Sequence, residues 1–252
     1  MSELPQLNLA FGDFCLFVDA DGTLLDIVER PENARATGEI LTILDRLYFA
    51  LGGALAIVSG RRIEDIDRLF APLRLPASGI HGAQWRGQAD GAIADRGGPD
   101  IPAAARRAIH AVAARHPGVF VEDKGKALAV HWRAAQERAA ALWDELDAAI
   151  GTTPQLAIMR GHCVFEIKSP STSKGDAVRA FMQIAPFAGR RPVFIGDDVT
   201  DIAGIAAAKA LGGRAFSVGR RLDGADGVFA APAEVRAWLA DLAGMRPEAR
   251  RA

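Results

Sequence analysis

Two short, wholly apolar runs stop abruptly at clustered acids. Phe14-Cys15-Leu16-Phe17-Val18 leads into Asp19-Ala20-Asp21-Gly22-Thr23, and Val193-Phe194-Ile195 leads into Gly196-Asp197-Asp198-Val199-Thr200-Asp201. A continuous apolar run of this length reads as a strand buried on both faces, the condition inside a parallel sheet covered by helices. The intervening chain agrees. Ile40, Leu41, Leu44 and Leu47 recur at helical spacing over 37–51, and Gly52-Gly53 ends that stretch. Residues 54–58 form a second buried strand, and Ile63, Ile66, Leu69 and Phe70 share one face of a second helix. Strand, helix, strand, helix is the grammar of an open α/β sheet. Around 82–95 it lapses, and Gln88-Ala89-Asp90-Gly91 reads as a hairpin turn.

The middle third is built differently. The pattern predicts a helix over 102–116, strands over 119–124 and 127–133 joined at Gly125, and a helix over 134–150. Strands over 156–160 and 163–168, joined at Gly161-His162, complete a doubled helix-strand-strand module. Hairpins imply antiparallel pairing, and a small antiparallel sheet places its helices on one face and leaves the other free to cover something. From Thr172 the first grammar returns, with helices over 173–184, 200–208 and 233–242 and strands over 192–195 and 215–218. The chain is therefore expected to be a core of residues 1–100 and 170–252 split by an inserted module of residues 101–169. Connectors near Gly97-Gly98-Pro99 and Ser169-Pro170-Ser171 are the expected hinges.

Acids at the carboxyl ends of parallel strands sit where such sheets bind ligands. Taken alone, the first motif also reads as an acidic turn between strand and helix. Asp201 likewise reads as a helix-start acid. Two strands of one sheet, however, place Asp19, Asp21 and Asp197 side by side, and like charges so close need a positive partner. An all-oxygen set suits Mg²⁺, whereas the five histidines, His81, His110, His116, His131 and His162, lack zinc-ligand spacing. Ser59-Gly60-Arg61, after the second strand, offers a hydroxyl and free backbone N–H groups for a phosphate, although Ser59 is also a plain helix cap. Lys174 starts a helix, where a cation opposes the dipole and needs an anion nearby; a solvated surface lysine is the competing reading.

Composition narrows the class. With 30 basic and 31 acidic residues the formal charge is −1, which excludes gripping nucleic acid by charge alone. No apolar run approaches the length of a membrane span, and Met1-Ser2-Glu3-Leu4-Pro5 lacks a secretory start. Cys15 and Cys163 each lie in an apolar run and read as reduced core thiols. A soluble, cytoplasmic, monomeric protein acting on a small molecule is expected, with no nucleic-acid or membrane partner.

The ordered set Asp19-Ala20-Asp21-Gly22-Thr23, Ser59, Lys174 and Gly196-Asp197-Asp198-Val199-Thr200-Asp201 resembles the haloacid dehalogenase superfamily of aspartate-nucleophile phosphatases. Val58-Ser59-Gly60-Arg61, Gly79 to Trp85, Val121-Glu122-Asp123-Lys124, His131-Trp132-Arg133 and Glu166-Ile167-Lys168 resemble its trehalose-phosphatase branch. The chain departs from the branch at Gln84 and Ile202, where glutamate is usual, and at Trp132 and Lys168, where tyrosine and arginine are common. The resemblance implies an α/β fold, a Rossmann-like parallel-sheet core with an inserted α+β cap domain whose antiparallel sheet carries its helices on one face. It implies Asp19 as nucleophile, Asp21 as general acid and base, and Ser59, Gly60 and Lys174 as phosphate-binding residues. Mg²⁺ is implied at the Asp19 side chain, the Asp21 backbone carbonyl and Asp197, with Asp198 and Asp201 orienting these ligands and Lys174. Substrate contacts are implied from Asp19, Ala20, Asp21, Arg61, His81, Glu122, Lys124, Arg160 and Glu166. The activity implied is hydrolysis of trehalose 6-phosphate. A phosphatase for sucrose phosphate or a glycosyl-glycerol phosphate, a non-catalytic phospho-acceptor module and an inactive phosphosugar sensor are the alternatives.

Overall fold

A computed structural model describes residues 10–245 apart from 29, 152 and 162. The N-terminal Met1–Pro5 reading and the turn residue His162 lie outside the described residues. In chain order the elements are β1 (Phe14–Val18), α1 (Gly38–Ala50), β2 (Leu55–Val58), α2 (Ile63–Leu69), β3 (Ala77–Gly79), β4 (Gln84–Arg86) and β5 (Ala94–Asp95). Then come α3 (Ala103–Ala114), β6 (Phe120–Asp123), β7 (Ala127–His131), α4 (Ala139–Ile150), β8 (Ala157–Gly161) and β9 (Val164–Lys168). The chain closes with α5 (Lys174–Phe181), β10 (Arg191–Gly196), α6 (Ile202–Ala210), β11 (Arg214–Val218), β12 (Gly227–Phe229) and α7 (Pro232–Leu242).

Two sheets result. The larger has strand order β12-β11-β10-β1-β2-β3-β4-β5. It is parallel from β12 to β3, and β4 and β5 add an antiparallel edge. Every residue of β1 and β2 is buried, as their unbroken apolar runs require. β1 is flanked by β10 on one side and β2 on the other, with Val18 level with Ile195. The chain winds outward in both directions from β1 and β10, so their carboxyl ends form the crevice where an open α/β sheet binds ligands. Thr37 starts α1 by accepting a hydrogen bond from the Ile40 amide at 3.3 Å, and Ile40, Ile43, Leu44 and Leu47 are its buried side. Leu41, expected inside, is only half-buried at the margin of the core.

The smaller sheet is antiparallel, in order β6-β7-β9-β8. Leu128, Val130, Phe165 and Ile167 pack against Ile109 and Val112 of α3 and Leu142 and Leu146 of α4, so both helices lie on one face. Strand alternation sends Phe120, Glu122, Lys124, Ala129, His131, Met159, Val164, Glu166 and Lys168 to the other face. That face meets the larger sheet's edge, where Ala127 packs on Ile80 and Ala83. No helix among the described residues is long and apolar enough to cross a membrane.

Several expectations are corrected. The helix expected from 134 begins at Ala139; residues Arg133–Arg138 form a 3₁₀ segment broken at Ala135, whose backbone (φ −144°, ψ 47°) is not helical. β3 and β12 were not foreseen, because strands of three residues, all of them small in β3, are too short to carry a periodic signal. Cys163 is half-buried rather than a core thiol, since it sits at the β8–β9 turn with φ 60°. Both connectors between the sheets are held by lysines of the small sheet. Lys126 donates to the Gly98 carbonyl at 2.9 Å, and Lys168 donates to the carbonyls of Ser169 and Thr172.

Candidate active site

The last residues of β1 and β10 deliver the acids. Asp19 follows Val18 directly, and its amide donates to Ile195 O at 3.0 Å, locking the two strand ends together. Carboxylate oxygens of Asp19, Asp197 and Asp201 all lie within 4.8 Å of one another, and Asp19 and Asp201 are buried. Gly22 makes this approach possible. Its backbone has φ +79°, and a Cβ there would meet Asp197 Oδ2 at 2.2 Å. Thr23, from the same motif, donates its hydroxyl to Asp197 Oδ1 at 3.0 Å.

Lys174 supplies the countercharge. Its ammonium lies 2.7 Å from Asp201 Oδ1 and 3.0 Å from Asp19 Oδ1, and the side chain is 2% exposed. Asp201 is fully committed: Oδ1 binds Lys174 and Oδ2 accepts from the amides of Asp197 and Asp198 at 3.2 and 3.1 Å. Burial drives the Asp19 carboxyl well above its ordinary value, with the Lys174 charge pulling back and the neighbouring acids adding to the rise. Burial and the Asp201 charge push Asp197 up to about 7. Asp19 and Asp201 hold Lys174 protonated far beyond the usual range, against the effect of its own burial.

Asp21 is placed differently. Arg61 grips its carboxylate with two hydrogen bonds, Nε to Oδ2 at 2.6 Å and NH2 to Oδ1 at 2.7 Å. Arg61 also reaches the Pro31 carbonyl at 3.0 Å, and its amide donates to Ser59 Oγ at 3.2 Å. The carboxylates that converge are thus Asp19, Asp197 and Asp201, not Asp19, Asp21 and Asp197. The Asp21 side chain is held by a bidentate cation instead.

The small sheet closes the cavity from above. Lys124 donates to Glu166 Oε1 at 2.9 Å and lies 3.8 Å from Glu122 Oε2, which also takes the His131 ring at 2.9 Å. The Lys124 ammonium and the nearby His81 ring overcome burial and hold Glu166 well below the ordinary glutamate range. His81, from the larger sheet's edge, faces Glu166 across 3.5 Å. Burial lowers its imidazole below the usual histidine value. Gly60 makes room for that ring, since a Cβ there would meet His81 Nε2 at 2.6 Å. Ile80 and His81 both hold positive φ, 48° and 50°, uncommon for side-chain-bearing residues and pinned by amide bonds to the carbonyls of Arg61 and Ser59. Both His81 ring nitrogens and Glu166 Oε2 are buried without a hydrogen-bond partner. Such groups are costly unless something polar fills the space before them.

One cavity, about 160 Å³, gathers Asp19, Asp21, Ser59, Gly60, Arg61, His81, Glu122, Lys124, Glu166, Lys174, Asp197 and Asp198. Two expected residues are not brought to it. Ala20 is buried in the core, its carbonyl accepting from the amides of Leu24 and Leu25. Arg160 shares a strand face with Ile158, so period two turns it to the helical side, where its guanidinium lies over Trp143 and Phe165 at 5.0 and 5.6 Å. Asp198 lines the cavity, caps the next turn through the Val199 amide and pairs with Arg220 at 3.1 Å. The departures have local roles. Gln84 Oε1 caps α2 through the Ile63 amide at 2.8 Å, and Trp132 packs on Phe165. The cavity also includes Ile27, Val28 and Pro31 from an irregular loop with no sequence signal. Thr23 and His131 were readable in the quoted motifs but were not singled out.

The carboxylate cluster fits a hard divalent cation. Its donors are all oxygen, Asp19 and Asp197 each keep a carboxylate oxygen outside the bonds to Lys174 and Thr23, and a glycine leaves space beside Asp197. A family model described as trehalose-phosphatase matches residues 17–207. The trehalose-6-phosphate phosphatase of Escherichia coli K12 is 40% identical over 247 residues, covering 95% of this chain and 89% of that protein. A probable trehalose-phosphate phosphatase of Sinorhizobium fredii is 39% identical over 217 residues, covering 86% and 82%. Among solved structures, the C-terminal domain of the Candida albicans trehalose-6-phosphate phosphatase superposes with a TM-score of 0.84 at 20% identity, covering 93% of each chain. A phosphatase of the haloalkanoate superfamily from Bacteroides thetaiotaomicron superposes with a TM-score of 0.59 at 17% identity, covering 98% of this chain and all of that one.

Proposed function

The chain belongs to the trehalose-phosphatase family, and from that premise we propose that it hydrolyses trehalose 6-phosphate to trehalose and phosphate, the closing step of trehalose biosynthesis in the cytoplasm, with Mg²⁺ as cofactor. Residues 1–100 and 170–252 act as the catalytic core and 101–169 as the cap that reads the sugar. All the groups named come from one chain, so a monomer suffices.

Asp19 attacks phosphorus, an aspartyl-phosphate forms, and the sugar oxygen departs with a proton from Asp21; Asp21 then takes a proton from the water that cleaves the acyl phosphate. Arg61 occupies both oxygens of the Asp21 carboxylate, so it must release one of them for Asp21 to carry that proton. Ser59, the Gly60 amide and Lys174 hold phosphate oxygens, and Asp201 fixes Lys174. Asp19, Asp197 and the Asp21 carbonyl would hold Mg²⁺, which when bound neutralises charge on the transferring phosphoryl group. Glu122, Lys124, Glu166 and His81 take the sugar hydroxyls.

The observation that carries the reading is the set of buried, unpartnered atoms at His81 and Glu166 in the cavity that also holds the Asp19–Lys174 pair. A site built for hydroxyls rejects esters that lack them. Phosphate release is to be measured from trehalose 6-phosphate, sucrose phosphate, a glycosyl-glycerol phosphate and glucose 6-phosphate, with and without Mg²⁺. Metal-dependent release with trehalose 6-phosphate foremost is expected. Equal rates across the panel would remove the cap's role, and no release at all would leave a phospho-acceptor module.

A further inference from the structure

Lys168 ends β9, an interior strand of the small sheet, level with Ala127 of β7 and Ala157 of β8. Period two puts it on the same face as Glu166, the face turned to the core. Its side chain is 3% exposed, and its ammonium donates to two carbonyls of the connector that follows, Ser169 at 3.1 Å and, more tightly, Thr172. Both partners are neutral. Burial lowers the ammonium below the ordinary lysine value, and the Glu166 and Asp176 charges offset that only in part. A buried cation held by carbonyls is a costly way to tie two stretches of chain, where an apolar side chain of the same length would fill the space. Its use must then lie in what those carbonyls position.

Thr172 stands two residues before Lys174, and the chain between them is closely fastened. Ser173 caps α5, its hydroxyl accepting from the Asp176 amide at 3.2 Å and donating to Asp176 Oδ2 at 2.6 Å. The Ser173 carbonyl packs so tightly on Gly82 that a Cβ there would meet it at 2.6 Å, and a Cβ on Gly175 would meet the Ala203 carbonyl at 2.4 Å. Those fasteners belong to the core. The hold on the Thr172 carbonyl comes from the small sheet. Lys174 itself carries its ammonium on a flexible four-carbon stem, so where its backbone starts decides what the head can reach. That head must meet Asp201 and Asp19 at 2.7 and 3.0 Å. A misplacement of about 1 Å near reacting atoms can cost on the order of a hundredfold in rate.

We propose that Lys168 is a positioning residue for the reaction: by holding the Thr172 carbonyl it sets the start of α5, and with it the reach of Lys174 into the catalytic cavity. The inference rests on the reading of Lys174 as a phosphate-holding group. Lys168 touches neither the ester nor the metal and acts through Lys174. The small sheet then does more than cover the site, since one of its side chains fixes the cation that the core presents to the phosphate.

The test compares the full chain with its Lys168→Met, Lys168→Ala and Lys168→Arg variants. Each is assayed with Mg²⁺ on trehalose 6-phosphate and 4-nitrophenyl phosphate, with inorganic phosphate and trehalose as inhibitors, and its Tm is recorded. Methionine and alanine are expected to lower kcat/KM about three- to tenfold, the range of one hydrogen bond, by the same factor on both esters. Inhibition by inorganic phosphate weakens by a matching factor, inhibition by trehalose, which carries no phosphate, stays as in the wild type, and arginine restores turnover and phosphate inhibition. A lower Tm with wild-type kinetics would reduce Lys168 to a structural tie. A loss confined to the disaccharide ester or to trehalose inhibition would place it in sugar recognition. Either result overturns the inference. If methionine prevents folding, alanine, which leaves room for water beneath the carbonyls, carries the same comparison. A wild-type chain without metal-dependent phosphate release would instead overturn the functional reading. Calorimetry of inorganic phosphate binding would then still decide Lys168: weaker binding in the methionine and alanine variants supports its role, and equal binding overturns it.

Discussion

Lys174→Met removes a cation that stands 2.7 and 3.0 Å from two buried carboxylates and replaces it with an apolar chain of similar length. The variant leaves Asp19, Asp197 and Asp201 within 4.8 Å of one another with no ammonium among them. Stranding a buried partner in this way costs about 3–5 kcal/mol. For a chain of this size, about 2–4 °C per kcal/mol gives a fall in Tm of roughly 6–20 °C. The cost depends on pH. The carboxyls of Asp19 and Asp197 are already raised by burial, and losing Lys174 raises them further, so protons replace the lost cation as pH falls. A raised acid stabilises the fold below its folded value and loses that stabilisation as pH rises through it. The deficit is therefore largest above pH 7 and shrinks toward pH 5. Thermal unfolding of both proteins in chelator, at pH 5.5 and pH 8.0, measures it. A change under about 2 °C at pH 8.0 would refute the claim that Lys174 neutralises this cluster. Turnover should fall alike on trehalose 6-phosphate and 4-nitrophenyl phosphate, because the phosphate is common to both.

Asp19→Asn is expected to abolish phosphate release from every ester while leaving Tm at or above the wild-type value, since it removes one of the crowded charges; appreciable turnover would exclude Asp19 as nucleophile. Glu122→Ala should cost the disaccharide ester more than tenfold in kcat/KM and 4-nitrophenyl phosphate far less, and equal losses would make Glu122 a structural partner of His131 and Lys124. In the wild type without divalent cations, Tm should be higher at pH 6 than at pH 8, because Asp197 is protonated in the folded state up to about 7. Mg²⁺ should raise Tm more at pH 8 than at pH 6, as it must displace that proton, and a pH-independent shift in calorimetry or thermal unfolding would contradict this.

The legible parts of the molecule are those fixed by local pattern. The run Phe14–Val18 announces a central strand because every one of its residues is buried, and Asp19 must then emerge at the sheet's carboxyl edge. Glu122, Lys124 and Glu166 were placed on an open face by period two alone, and that face does cover the acids. The same rule, applied to Arg160, sends it to the helical side, because it shares a face with the core-packed Ile158. What stayed hidden depends on distant partners. Nothing near Asp21 in the sequence says that Arg61, forty positions away, will draw its carboxylate out of the cluster. Nothing near Asp201 says that its two oxygens will be spent on Lys174 and on two backbone amides. The loop that brings Ile27, Val28 and Pro31 to the cavity has no periodicity, so its contribution is set by tertiary contacts alone.

Charge accounting across the cavity orders the events of a turnover. Six carboxylates line it, Asp19, Asp21, Glu122, Glu166, Asp197 and Asp198, against four cations, Arg61, Lys124, Arg133 and Lys174. A phosphate monoester brings about two more negative charges at neutral pH. Placed in the bare site it would meet a surplus of its own sign, close to the two acids whose values burial has already raised. Protonating Asp19 would relieve the repulsion but would also leave the proposed nucleophile uncharged. On the proposed mechanism, a divalent cation held by Asp19 and Asp197 would offset the surplus and leave Asp19 ionised. Metal would then be expected to bind before or together with the ester, and mixing the ester with metal-free enzyme should give no binding until the cation is added.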